Sequence, residues 1–122
     1  MMRRGEIWVA RLNPNRGREI GKTRPVVVMQ ADELLVIENA PVIVLPLTTQ
    51  IYPALQLWRV TLPARDRLLK DCQVVIDHPR TIDRTRFTDG PLTALTSEEM
   101  RAVENSLAAI MGLSDPSGYQ SN

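Results

Sequence analysis

Arg24-Pro25-Val26-Val27-Val28-Met29 is the stretch that decides the fold class of this chain. Its β-branched and apolar residues fill consecutive positions, so both faces of the segment call for burial. A proline is tolerated where such a strand begins. The reading is a central strand over 25–29. Pro41 to Thr48 has the same character. Glu6 to Leu12 contains Ile7, Trp8 and Val9 and is broken by Asn13-Pro14-Asn15-Arg16-Gly17, whose residue types favour turns; the positions through Thr23 then read as a long polar loop. Gln56 to Leu62 alternates well enough for a further hairpin partner, and Asp71 to Ile76 supplies another strand before His78-Pro79. Short strands at this spacing predict a mainly β domain, a small antiparallel sheet or barrel.

The period changes near the carboxyl end. Thr96 or Ser97 can cap a helix, Glu99 stands three residues after Thr96 as in a capping box, and Met100, Val103, Leu107, Ile110 and Met111 recur on one face. A helix over about 97–111 is therefore expected to pack on the sheet, giving an α+β domain over 1–113. Gly112 is a plausible stop. Residues 114–122 are rich in Ser, Gly and Pro and read as a flexible polar tail.

With 122 residues, 43% of them apolar, the chain suffices for one domain with a modest core and leaves no room for a second catalytic one. Cys72 is the only cysteine and His78 the only histidine, so neither a disulfide framework nor a Cys/His zinc site can form within one chain. No metal or cofactor is expected. The chain also lacks the apolar runs of a signal peptide or membrane span, which predicts a soluble, cytoplasmic protein without a membrane partner. Net charge is only +1, but its distribution is uneven. Residues 1–30 carry seven basic side chains against Glu6 and Glu19, whereas residues 91–122 carry Arg101 against four acids. A polyanion would be drawn to the amino-terminal part.

Three segments place polar chemistry at strand ends. Arg24 stands where the polar loop enters a rigid strand, and its planar, permanently charged fork can grip phosphate oxygens and stabilise charge building on them. In Pro46-Leu47-Thr48-Thr49-Gln50 an apolar strand ends in three hydrogen-bonding side chains. Asp77-His78-Pro79-Arg80-Thr81 gathers an acid, an imidazole and a guanidinium within four residues. Taken singly, each is more often structural than catalytic.

Their combination and order resemble the MazF/PemK family of toxin endoribonucleases over nearly the whole chain. Arg4-Gly5-Glu6-Ile7-Trp8 looks like that family's first strand, and Pro14-Asn15-Arg16-Gly17-Arg18-Glu19 is similar to its Pro-x-x-Gly-x-Glu loop. Arg24-Pro25-Val26-Val27-Val28 matches its Arg-Pro-Val strand and Pro46-Leu47-Thr48-Thr49-Gln50 its threonine-bearing strand end. Asp77-His78-Pro79-Arg80-Thr81-Ile82-Asp83 is close to its usual Asp-Gln-Pro-Arg-Thr-Ile-Asp. The resemblance implies an SH3-like antiparallel barrel with a carboxy-terminal helix, acting as a homodimer that cleaves single-stranded RNA and is held inactive by a cognate antitoxin. It also implies Arg24 and Thr48 as catalytic residues, joined by Glu19 from the loop, with Arg18, Thr49, Gln50, Asp77, His78 and Arg80 as substrate-binding candidates. Two departures are visible: His78 replaces the family's frequent Gln, and Arg18 stands where members carry Ser or sometimes His. A subgroup's additional arginine, two residues before its equivalent of Asp77, is Val75 here.

RNA carries its own nucleophile in the 2′-hydroxyl. An enzyme that cuts it needs only to align that group, take its proton, stabilise the charged phosphorane and protonate the leaving 5′-oxygen. Arg24 and Thr48 suit the stabilising half. Arginine, with a pKa above ~12, is a poor proton acceptor, which turns attention to Glu19 for the accepting half. Two other readings are open to a chain of this pattern. A gyrase-inhibiting toxin of the same fold would end in an apolar Trp-Gly-Ile terminus, where this chain has Gly118-Tyr119-Gln120-Ser121-Asn122. An inactive RNA-binding module would want more exposed rings than one Phe, two Tyr and two Trp supply.

Overall fold

The computed structural model describes residues 1–13, 17, 21–52 and 59–113. Among the described residues seven strands run β1 Glu6–Arg11, β2 Thr23–Val28, β3 Val42–Thr48, β4 Arg59–Leu62, β5 Cys72–Val75, β6 Arg80–Ile82 and β7 Phe87–Ala94. Helix α1, Asp32–Leu35, is a single turn between β2 and β3, and helix α2 spans Ser97–Ile110. All pairings are antiparallel, in the order β4-β5-β3-β2-β1-β7. Strand β6 pairs with β3 as well. The mainly β architecture with a carboxy-terminal helix is the one expected from the strand pattern.

Why Val26-Val27-Val28 is continuous is now plain: the sheet is buried on both faces. Val27 joins Ile7, Leu45, Leu47, Leu62, Leu68, Cys72, Val74, Ile76 and Val103 in one apolar cluster. Val26 and Val28 turn the other way, to Ala10, Leu12, Leu35, Val42, Val44 and Ile82. At the ends of the sheet, the Arg67 N–H after β4 donates to the Leu92 carbonyl of β7 at 3.1 Å, so the strands wrap around the first cluster.

Pro46 lies inside β3 without breaking it, and the register explains how. The Met29 N–H donates to the Ile43 carbonyl, so odd-numbered residues of β3 aim their backbone groups at β2 and even-numbered ones at the opposite edge. That edge is shared. Strand β6 takes Val42–Val44, and β5 takes Leu47 and Thr48. Pro46 falls in the gap between them, where a missing N–H deprives no partner.

On β7, Gly90 lies against the Trp8 ring so closely that a Cβ would come within 2.4 Å of it. Only glycine fits beneath that indole. Trp8 in turn meets Phe87 edge-on, ring centroids 6.2 Å apart.

The capping box is formed: Thr96 Oγ1 accepts from the Glu99 N–H at 3.1 Å, and Glu99 Oε1 accepts from the Thr96 N–H at 2.9 Å. Val103 is fully buried, and Met100, Leu107 and Ile110 pack beside it. Met111, expected on the same face, is 57% exposed. The helix ends at Ile110, and the chain leaves its axis through Gly112 at φ 73°.

Glu99 also binds the Arg65 guanidinium in two places, at 2.6 and 3.0 Å, with both side chains about four-fifths shielded. Burial by itself pushes the Glu99 carboxyl up, but the hydrogen bonds from Arg65 and Thr96 together with the Arg65 charge outweigh it, and the group is held below its ordinary value. Its contribution to stability is therefore present above the unfolded value of about 4.3 and lost as pH falls through the lower folded value. Glu99→Gln is expected to destabilise by about 1–3 kcal/mol at neutral pH. In denaturant titrations the gap to the unsubstituted protein should close below about pH 4. A gap that persists at acid pH would mean that the carboxylate charge is not what stabilises.

Candidate active site

At one end of β2 and β3 the apolar stripe on the second face gives way to polar side chains. Val28 and Val26 on β2, and Val42 and Val44 on β3, are buried in that stripe. Two residues on, with the alternation of a strand, stands Arg24, and Thr48 ends the matching row. The register pairs Val26 with Pro46, so continuing it sets Arg24 across from Thr48 on the same face. Side chains placed this way across an antiparallel pair are neighbours.

The turn before β2 fixes the arginine. Lys22 occupies the left-handed region at φ 68°, an uncommon place for a side chain of that kind. Its N–H donates to Asn13 Oδ1 at 2.9 Å and its carbonyl accepts from the Leu12 N–H at 2.8 Å, which holds it there. This leaves the Gly21 carbonyl to accept from Arg24 Nε at 3.0 Å, while Arg24 Nη1 donates to the Leu47 carbonyl at 3.3 Å. Leu47 is an odd residue, facing β2 just past the last paired position. Two of the three guanidinium nitrogens are thus tied to backbone oxygens. Among the described residues its Nη2 end meets no acceptor. Burial pushes the group down from its ordinary value, but it remains a cation at neutral pH.

Thr48 is held by β5, where it pairs with Gln73. Its hydroxyl oxygen accepts from the Gln50 N–H at 3.1 Å, so its proton remains available to a ligand. Both side chains line a cleft of about 710 Å³, with Lys22, Thr49, Gln50, Tyr52, Arg59 and His78 among its other walls. Thr49, Gln50 and His78, substrate-binding candidates of the sequence reading, are among the lining residues. Asp77 and Arg80 are not among the lining residues. Asp77 stands 3.9 Å from His78, and Arg80 follows Pro79 into β6, where it pairs with Val44, four residues along β3 from Thr48. Arg18 and Glu19 lie outside the described residues, as do Gln56 to Trp58 of the expected fourth strand and the tail 114–122.

A family model described as PemK-like, MazF-like toxin of type II toxin-antitoxin system matches residues 3–111. The chain belongs to this toxin family. The endoribonuclease MazF of Staphylococcus saprophyticus is 35% identical over 115 residues, 93% of either chain. Among solved structures, MazF of Deinococcus radiodurans superposes with a TM-score of 0.76 at 24% identity, covering 91% of this chain and 96% of the other. An endoribonuclease from a mycobacterial species, solved with its cognate antitoxin, gives 0.74 at 21% identity, covering 95% and 100%. These two likenesses are of fold.

Beyond the family motifs, Tyr52 and Arg59 line the cleft, and both were passed over in the sequence reading; Gln73 supports them from the core. Gln73, 1% exposed, is the buried polar side chain of the core among the described residues. Its Oε1 accepts from the Tyr52 N–H at 3.0 Å and its Nε2 donates to Thr61 Oγ1 at 3.2 Å; the Tyr52 hydroxyl reaches Gln50 Oε1 at 3.2 Å. The segment after Thr48 is thereby pinned to β4 and β5. Arg59 stands over the Tyr52 ring, 5.5 Å from its centroid. No strand end marked it in the sequence, where it falls in the middle of the strand expected over Gln56 to Leu62.

Proposed function

We propose that this chain is the toxin of a type II toxin–antitoxin pair and cuts single-stranded RNA by attack of the 2′-hydroxyl on the adjacent phosphate. The observation that carries this reading is the meeting of Arg24 and Thr48 on one face of one cleft, each with a donor free of other partners among the described residues. A phosphate seated between them would receive a guanidinium edge and a hydroxyl proton. Both strengthen as charge builds on the non-bridging oxygens of the phosphorane, and such differential stabilisation accelerates the step. Arg24, cationic and fixed by two backbone carbonyls, also stands ready to give the leaving 5′-oxygen its proton.

Glu19 takes the proton of the attacking 2′-hydroxyl in this scheme. The bond from the 2′-oxygen to phosphorus forms as the bond to the 5′-oxygen breaks, leaving a 2′,3′-cyclic phosphate and a 5′-hydroxyl. His78, on the cleft wall, contacts a base together with Thr49 and Gln50; Asp77 and Arg80 extend the RNA surface beyond the cleft, and Arg18 also binds RNA. The working protein is a cytoplasmic homodimer, silenced by a cognate antitoxin. Among the described residues no helix is long and apolar enough to cross a membrane.

Incubation with a long defined RNA in the presence of chelator, followed by mapping of fragment ends, tests the reading. Cleavage at a short recurring sequence with cyclic phosphate and 5′-hydroxyl ends is the expected result. Fragments bearing 5′-phosphate, or loss of cleavage on chelation, would count against it.

A further inference from the structure

We infer that Arg59 is a second phosphate-binding residue of the cleft, which leaves its stacked position on Tyr52 to take a backbone phosphate other than the one held by Arg24 and Thr48. The inference rests on the RNA-cutting reading above and adds to it a residue outside the motifs that suggested it.

Three observations converge on this side chain. Arg59 lines the same cleft as Arg24, Thr48 and His78. Its Nε and Nη1 are shut off from solvent and, among the described residues, meet no acceptor. Buried guanidinium donors in this condition are rare, because desolvation without a replacement hydrogen bond is unfavourable. The Tyr52 ring is what Arg59 has instead, an attraction weaker than a charge-assisted bond to an anionic oxygen.

The surroundings show why the side chain stays there. Register sets Arg59 opposite Val75 and Thr61 opposite Gln73. Gln73 bridges Thr61 to the Tyr52 backbone, so the ring is carried on a buried polar link between β4, β5 and the segment after Thr48. The cation is thus parked beside the cleft with its Nε and Nη1 donors unspent among the described residues. With Lys22, Arg24 and Arg59 all bordering one groove, the cleft suits a ligand with repeated anionic groups; a nucleic-acid backbone is that ligand.

The test is equilibrium binding to a long mixed-sequence single-stranded RNA in which every 2′-hydroxyl is methylated, so that it binds without being cut. Affinities of the full chain and of Arg59→Met, which keeps the apolar stem, are measured across a salt series. The expected result is about 10-fold to 100-fold weaker binding by Arg59→Met. The slope of log K against log salt should also be shallower by about 0.7, the signature of one lost phosphate contact on a single strand. The thermal midpoint of the free protein should change little, because relief of two buried donors without partners among the described residues offsets the lost contact with the Tyr52 ring. Arg59→Lys should restore most of the slope and only part of the affinity.

Unchanged binding would overturn the inference, and so would weaker binding with an unchanged slope, which marks a base contact or a packing role. A lowered midpoint with an intact slope would make Arg59 structural. Should Arg59→Met not fold, Arg59→Gln takes its place in the same series. Unsubstituted protein that cuts RNA while Arg59→Met keeps the full slope fails this inference alone. Unsubstituted protein that neither binds nor cuts fails the reading beneath it.

Discussion

Arg24→Ala protein is expected to leave RNA essentially intact, with kcat/KM lower by about 10²–10⁴-fold, the range for removing a charge-stabilising donor. Alanine removes the cation at the cleft floor and frees the Gly21 and Leu47 carbonyls that the guanidinium now ties down. Arg24→Lys is expected to recover little. Lysine keeps the charge, but it cannot bond Gly21 through Nε and Leu47 through Nη1 while presenting a third edge to a phosphate. The substitution should spare the fold, since Arg24 stands beyond the last buried residue of the stripe, and a thermal melt checks that the lost activity is not lost protein. Full cleavage by Arg24→Ala material free of contaminating nuclease would remove this residue from the mechanism.

How much of this the sequence disclosed varies with the physical signal each element carries. The two central strands are legible because burial on both faces selects an unbroken β-branched run, and Val26, Val27 and Val28 serve both apolar clusters. The helix is legible because its cap is a local hydrogen-bond exchange between residues three apart. Strands β6 and β7 are not. The first has three residues, and the second is mostly half-exposed and pairs with β1 through two register shifts, so its identity depends on a partner eighty residues away in sequence. The single turn of α1 is likewise too short to leave a period. The candidate site residues divide in the same way. Arg24 and Thr48 belong to motifs, whereas Arg59 acquires its setting only when β4 pairs with β5 and Gln73 draws Tyr52 over it. Arg80 shows the converse: two residues from His78 in the chain, it enters β6 opposite Val44 while His78 lines the cleft.

Thr48→Val is expected to lower kcat/KM by about 10²–10³-fold with little change in RNA affinity, because the hydroxyl's bond to the phosphate strengthens only as charge develops. Valine is nearly isosteric with threonine, so the loss reads the hydroxyl and not the volume. One correction is needed: Thr48 Oγ1 also accepts from the Gln50 N–H, which valine leaves without that acceptor. Thr48→Ser supplies the control, since serine restores both the acceptor and the donor and should regain most of the activity. The sharper prediction concerns the pair. If Arg24 and Thr48 act on the same phosphate, removing both costs less than the product of the single losses, because either loss already leaves the phosphorane poorly held. The Arg24→Ala/Thr48→Val protein should therefore be within about tenfold of Arg24→Ala alone in single-turnover cleavage. Losses that multiply in full would place the two side chains on separate parts of the RNA, and the phosphate would then have to be held by Arg24 with some other donor of the cleft.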